Sequence, residues 1–325
     1  MGEVGIRIIF LFIDVVLPMA AGYACRQKRW LDEKQCNILI RVNITIITTL
    51  LTTLTFWVLP IKPHLMLLPV FMVLNAFIPV GVIFLFHRQR KFTSMADQGS
   101  YILAALLTNL GTLGGLCGYI LYGERGFAYA QLTAVFQNFI TFFIAFPLGA
   151  YYKYSAEAGG HLSLVSMNWR KVFINWNQMP VVGMALGIAL CALGIPRPQI
   201  MDYAFQGLIH IGAWSGLVPI GFMIKFSAFP RYYKKTFDLV PIKLLVTPAI
   251  CYVLSRFCFT DPVLIGTLMI LMSMPTAIFS LFAVRLYNLN VNLAMSAFIT
   301  TTAFYVFLFY PVFYFLVHLG YLTFT

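Results

Sequence analysis

Charge is what this sequence has least of. Only 10% of its 325 residues are Asp, Glu, Lys or Arg, while 61% are hydrophobic and the mean hydropathy is +0.86. A soluble domain of this length needs far more polar surface to cover its core, so a soluble globular fold is excluded. Acid is scarcer still, with ten carboxylates against 22 Lys and Arg. No catalytic acid pair and no His-Glu-x-x-His run is present, which removes the metalloprotease motif. The cysteines at 25, 36, 117, 191, 251 and 258 form no Cys-x-x-Cys pair and have no companion His at zinc spacing. They offer no metal site and read as small hydrophobes in or beside apolar stretches. Gly22-Tyr23-Ala24-Cys25 has the outline of a lipoprotein cleavage site. The basic cluster, however, follows the first apolar stretch instead of preceding it, so a retained first span is expected.

What fills the chain is apolar run after apolar run. Stretches long enough to span about 30 Å of hydrocarbon, roughly 20 residues each, lie near 6–23, 38–59, 65–86, 101–121, 127–152, 172–194, 204–224, 239–256, 262–284 and 291–319. The expected fold is an all-α integral membrane protein of ten transmembrane helices. Loop charge orients it. Sixteen Lys and Arg fall in one alternating set of loops (Arg26, Arg88, Lys153 and Lys234 among them) and five in the other (Arg7, Lys62, Arg125, Arg197 and Arg256). The positive-inside rule then puts both termini outside. The formal charge of +12 is thereby explained by retention and by contact with anionic headgroups, and no basic stripe is left to read as a nucleic-acid surface. Aromatics clustered at span ends, such as Tyr151, Tyr152, Tyr232 and Tyr233, suit interfacial belts.

The spans repeat. Corresponding starts in the two halves differ by 161 to 174 residues, and Asn109 lies 166 before Pro275. Five spans is an odd number, so the second half crosses the membrane in the opposite sense, as in an inverted-topology repeat. The expected division is a first five-helix repeat over 1–155, a polar cytoplasmic linker over 156–171 and a second repeat over 172–325. Spans four and nine are both interrupted at matching places: Thr108-Asn109-Leu110-Gly111-Thr112-Leu113-Gly114-Gly115 and Ser273-Met274-Pro275-Thr276-Ala277. Peptide groups freed by such breaks survive in lipid only where protein or a wet cavity receives them. Gly111, Gly114 and Gly115 suit close helix packing equally well. A buried amide at Asn109 and the carbonyl freed by Pro275 favour instead two unwound segments that cross, their half-helix amino ends facing an anion.

The first break, followed by Gly123-Glu124-Arg125-Gly126-Phe127-Ala128-Tyr129-Ala130, resembles the fourth span of the auxin efflux carrier family. That family groups plant auxin exporters with bacterial malate- and malonate-type permeases. Met274-Pro275-Thr276-Ala277, then Ala283-Val284-Arg285-Leu286-Tyr287 and Thr300-Thr301-Thr302 before Pro311, is similar to its ninth and tenth spans, and Lys243-Leu244-Leu245-Val246-Thr247-Pro248 to its eighth. This chain departs from the pattern in carrying Leu116-Cys117 where the family often has a proline, and Asn75 where exporters have an acid. The resemblance implies a secondary active transporter that moves a small organic anion by an elevator mechanism. Spans three to five and eight to ten would slide against a scaffold of spans one, two, six and seven that also forms a homodimer.

The substrate-binding residues expected on this reading are Asn109, Gly111, Gly114, Gly115, Ser273, Pro275 and Thr276. Lys243, Asn75 and Asp14 are expected as coupling or polar support. Lys243 either snorkels to the cytoplasmic face or points inward, where the substrate or Asp14 is its counter-ion or where it stands in for a bound cation. Asp14, in mid-span, is either a protonatable coupling group or a scaffold residue. His210, with Gln206 one turn earlier, reads as a satisfied core pair in preference to a proton relay. The coupling ion is left open between a proton and sodium, and no other cofactor is expected. Two rivals stand beside the carrier: a membrane receptor that binds without transport, and an intramembrane serine hydrolase using Ser215 of Ala213-Trp214-Ser215-Gly216. Short loops and the lack of a transit peptide point to a bacterial inner membrane. The charge asymmetry makes a direct prediction: in a cysteine-free background, an impermeant thiol reagent should label Gly2→Cys and Thr325→Cys from outside and miss Lys234→Cys. The reverse pattern would overturn the orientation.

Overall fold

The computed structural model describes residues 12–59, 62–158, 179–224 and 229–320. Most of the expected linker, the terminal residues and the loop cations Arg7, Arg170, Lys171 and Lys225 lie outside them. Among the described residues every regular element is helical, and the sole extended pairing is one antiparallel bridge between Thr108 and Thr276. The helices are α1 (12–27), α2 (Glu33–Val58), α3 (Pro63–Leu85), α4 (Met95–Leu106), α5 (110–122) and α6 (124–158), then α7 (Met179–Ala192), α8 (Ile200–Met223) and α9 (Phe229–Thr236). They end with α10 (Leu239–Cys258), α11 (Pro262–Met272), α12 (Ile278–Leu286) and α13 (Val291–His318). Four of these, α2, α3, α10 and α13, are long and apolar enough to cross a membrane; α7 and α11 are apolar but shorter.

Local chemistry sets the boundaries. Asp32 opens α2 through a capping box, accepting from the Gln35 amide at 2.7 Å while its own amide donates to Gln35 Oε1 at 2.9 Å. Asp261, with Pro262 at the first helical position, opens α11, and Asn290 caps α13. Gly123, at φ +64°, separates α5 from α6. The helix α4 starts six residues before the expected span, because Asp97 and Gln98 interrupt the apolar run that marks it in the sequence.

In four helices a proline follows a turn opened to π spacing: Phe12–Val16 before Pro18, Thr141–Ala145 before Pro147, Ile242–Val246 before Pro248 and Tyr305–Phe309 before Pro311. A proline ring donates no bond and crowds the carbonyl four residues back, and a wider turn relieves that crowding. Pro79 and Pro219 are accommodated without one. The opened turn in α10 contains Lys243.

The described residues form two compact units, and each draws on both halves of the sequence. The first comprises 12–66, 111–135 and 179–224. In it α1 packs on α8 and α2 on α7, both through glycine. A Cβ at Gly22 would stand 2.0 Å from the Val218 carbonyl oxygen, one at Gly221 1.9 Å from that of Met19, and one at Gly187 2.5 Å from that of Thr53. Backbones this close are the usual geometry of small-residue helix contacts in lipid. The second unit comprises 67–110, 136–158 and 229–320. There Asn290 donates to both Asp97 (2.7 Å) and the Tyr232 hydroxyl (2.9 Å), which fastens α4 and α9 to the start of α13.

Arg197 pins the first unit together. Its guanidinium donates to the Leu54 carbonyl (2.8 Å), grips Glu124 in a fork (3.0 and 3.2 Å) and also meets Asp202. The chain ends of α2 and α8 and the start of α6 thus converge on one side chain that is 9% exposed. Removing it leaves a carbonyl and a carboxylate without their donor, so Arg197→Ala should cost about 3 kcal/mol and Arg197→Lys, which lacks the fork, less. Thermal melting in detergent measures both. A loss for Arg197→Ala within the range of about 0–1 kcal/mol typical of surface pairs would dismiss the clamp.

Candidate functional site

Two helical runs are cut in the middle, and both breaks lie in the second unit. Regular helix stops at Leu106 and resumes at Leu110, and it stops at Met272 and resumes at Ile278. Between these points the chain is extended, and the two segments lie antiparallel. The Asn109 amide donates to the Pro275 carbonyl at 3.0 Å, and the Ala277 amide to the Leu107 carbonyl at 2.9 Å. Each break therefore supplies what the other lacks. Proline is suited to its place, since its carbonyl is used and the amide it lacks is not needed.

The carboxyl ends of α4 and α11 still carry carbonyls with no helical donor, and side chains from outside the two broken helices reach them. At the end of α4, Lys243 Nζ of α10 donates to the Ala105 carbonyl at 2.7 Å, with those of Leu107 and Ala104 at 3.4 and 3.5 Å. At the end of α11, Asn75 Nδ2 of α3 donates to the Leu271 carbonyl at 3.1 Å. Both side chains are buried, Lys243 at 1% exposure and Asn75 at 0%. The amide also accepts from the Thr108 hydroxyl at 2.7 Å, so Asn75 joins one break to the other. Thr276 works the same way, its hydroxyl donating to Ala104 (2.9 Å) and its amide to Thr301 Oγ1 (3.1 Å). A cation at a helix carboxyl end complements the partial negative charge there.

The sequence-derived site residues divide between the two units. Asn109, Ser273, Pro275, Thr276, Asn75 and Lys243 come together in the second. Gly111, Gly114, Gly115 and Asp14 belong to the first. Gly115 faces Gln131 and Phe127, where a Cβ would meet Gln131 Nε2 at 2.8 Å, and Gln131 donates to the Gly111 carbonyl at 3.3 Å. Ser273 donates its hydroxyl to Met269 in its own helix. Among the described residues, the Asn109 side-chain amide makes no hydrogen bond although the residue is 6% exposed.

Of the two placements open to Lys243 it takes the inward one, and its partners there are backbone carbonyls. Asp14 instead lies 2.6 Å from His210 Nδ1 across α1 and α8, with Oδ1 buried and unpartnered among the described residues. The pairing of His210 with Gln206 is thus replaced by one that spans 196 residues, which no local pattern announces. Ser215 donates to the Ile211 carbonyl and accepts from Asn43 Nδ2 at 2.9 Å. No hydrogen bond joins it to His210 among the described residues, so the nucleophile–base contact of a hydrolase is not formed. No cluster of three His, Cys, Asp or Glu suited to a metal occurs among the described residues. Sequence reasoning missed Thr108 and Thr301, both part of quoted motifs but read there only as sequence likeness.

Neither a protein-family model nor a curated protein sequence matches the chain.

Asn75→Ala strands the Thr108 hydroxyl and the Leu271 carbonyl, and a loss of about 1–3 kcal/mol is expected. In a double-mutant cycle with Thr108→Val, read by detergent melting, the double variant should lose less than the sum of the singles. Strict additivity would show that Asn75 does not link the breaks.

Proposed function

We propose that this protein is a secondary active transporter for a small organic anion, built as ten spans in two inverted five-helix repeats and set in a membrane with both termini outside. The observation that carries the reading is the crossing of two broken helices that exchange backbone hydrogen bonds. Irregular backbone inside an apolar bundle is the usual binding architecture of such carriers.

Four correspondences support the repeat. The bonded pair Asn109 and Pro275 are 166 apart, within the range of the span intervals. The π turns before Pro147 and Pro311 recur after 164 residues. Exchanging spans one with six and two with seven carries the contact of α1 with α8 onto that of α7 with α2. The same exchange, applied to spans three and eight and to four and nine, carries the Asn75 cap of α11 onto the Lys243 cap of α4.

The two caps are equivalent in place and unequal in charge. Three N–H donors facing three carbonyls do what a coordinated alkali cation does, and the anion meets a site whose positive charge is already fixed. Asn109 would bind the anion, with the positive end of α12 favouring its charge. Spans three to five and eight to ten would be the moving body of an elevator, and spans one, two, six and seven, with their glycine-mediated contacts, the scaffold.

In proteoliposomes, radiolabelled carboxylate anions should accumulate and exchange with unlabelled anion across the membrane. Asn109→Ala should weaken binding by about threefold to tenfold, the value of one neutral hydrogen bond. Saturable binding without counterflow under any ion gradient would favour the receptor reading instead.

A further inference from the structure

Along the outside of the second unit, α10 and α13 enclose a cavity of about 640 Å³. Its walls include Val240, Leu245 and Tyr252 on one side and Phe304, Leu308 and Leu316 on the other. From 240 to 252 the trough follows α10 for twelve residues, about 18 Å at helical rise, which matches one leaflet of a hydrocarbon core about 30 Å thick. It is open to the surroundings, with Leu245 61% and Leu308 55% exposed. Three residues before Val240, the Phe237 ring meets that of Phe304, a lining residue, edge-on at 5.4 Å.

Cations crowd that end. Lys234 and Lys235 close α9 and are exposed, two to three residues before Phe237. Lys235 and Lys91 flank the same ring, their Nζ atoms 5.9 and 5.2 Å from the centre of Phe92. One carboxylate serves the group: Asp238 accepts from Lys91 (2.7 Å), Arg88 Nε (3.0 Å) and the Tyr101 hydroxyl (2.7 Å). Burial holds the Lys91 ammonium below the ordinary lysine range although Asp238 accepts from it, and Arg88 and Lys235 push the same way. Four positive groups, Lys234, Lys235, Lys91 and Arg88, beside one carboxylate leave an unmet demand for an anion.

An anion-seeking cluster at the mouth of an apolar trough one leaflet deep matches one ligand chemistry, a phosphodiester joined to a hydrocarbon chain. We propose that an anionic phospholipid occupies this surface, its headgroup at Lys235, Lys234 and Arg88 and one acyl chain between α10 and α13. The inference rests on the membrane reading above, not on transport.

Native mass spectrometry of the detergent-solubilised chain, titrated with phosphatidylglycerol and with phosphatidylcholine, tests it. Phosphatidylglycerol should be retained in preference. Lys234→Gln/Lys235→Gln should reduce that retention by about 25-fold, taking about 1 kcal/mol, or fivefold, for each cation. The corresponding Arg pair should keep it. Ala249→Trp, which fills the trough and leaves the cations in place, should lower retention of both lipids. Equal retention of the two lipids, or a preference untouched by the Gln pair, overturns the proposal. Full competition by soluble glycerophosphate also overturns it, in favour of a free-phosphate site. A chain that stays monodisperse without detergent and takes up neither lipid would instead defeat the membrane reading itself.

Discussion

A peptide group without a partner in an apolar interior costs several kcal/mol, and at the crossing this chain leaves two whole stretches of backbone out of helix. Everything around the crossing answers that demand. The extended segments bond to each other, Asn75 and Lys243 take the carboxyl ends, and Thr108, Thr276 and Thr301 connect what remains. The residues surrounding the break are consequently fixed by the geometry of unpaired carbonyls before any ligand is considered. The Asn109 side chain is the exception, making no hydrogen bond among the described residues.

Proline acts twice in this economy of donors. At Pro275 it sits where a carbonyl is wanted and an amide is not. In α1, α6, α10 and α13 it opens the preceding turn, and in α10 that turn holds Lys243. A wider turn rotates the side chains upstream of it relative to those below. This offers a physical reason for an ammonium to face the interior at a depth where helical spacing alone suggested escape to the surface.

The breaks could be read directly from the sequence because Gly, Pro and small polar residues are conspicuous inside apolar runs. The ends of two helices were readable for the same reason: α10 and α13 occupy Leu239–Cys258 and Val291–His318 against expected 239–256 and 291–319. Partners were not readable. Asn75 meets Leu271 across 196 residues, and His210 meets Asp14 across the same interval, contacts decided by which helices pack. The glycines of the first break looked like ligand-facing backbone, and Gly115 in the structure faces Gln131 and Phe127. Its neighbours, not its conformation, set its role, and a sequence shows only the latter.

A cation attached by four methylenes differs from one that is bound in one respect: it never leaves. On the carrier reading proposed above, an ion visiting the carbonyls at the end of α4 would alter the charge of the site with every cycle, whereas an ammonium on Lys243 would add one fixed positive charge. A membrane potential, worth about 2.3 kcal/mol per charge per 100 mV, would then act on the return of an empty site and pass over one whose monovalent anion offsets that ammonium. A single covalent tether would thereby separate the electrical step of the cycle from the chemical one.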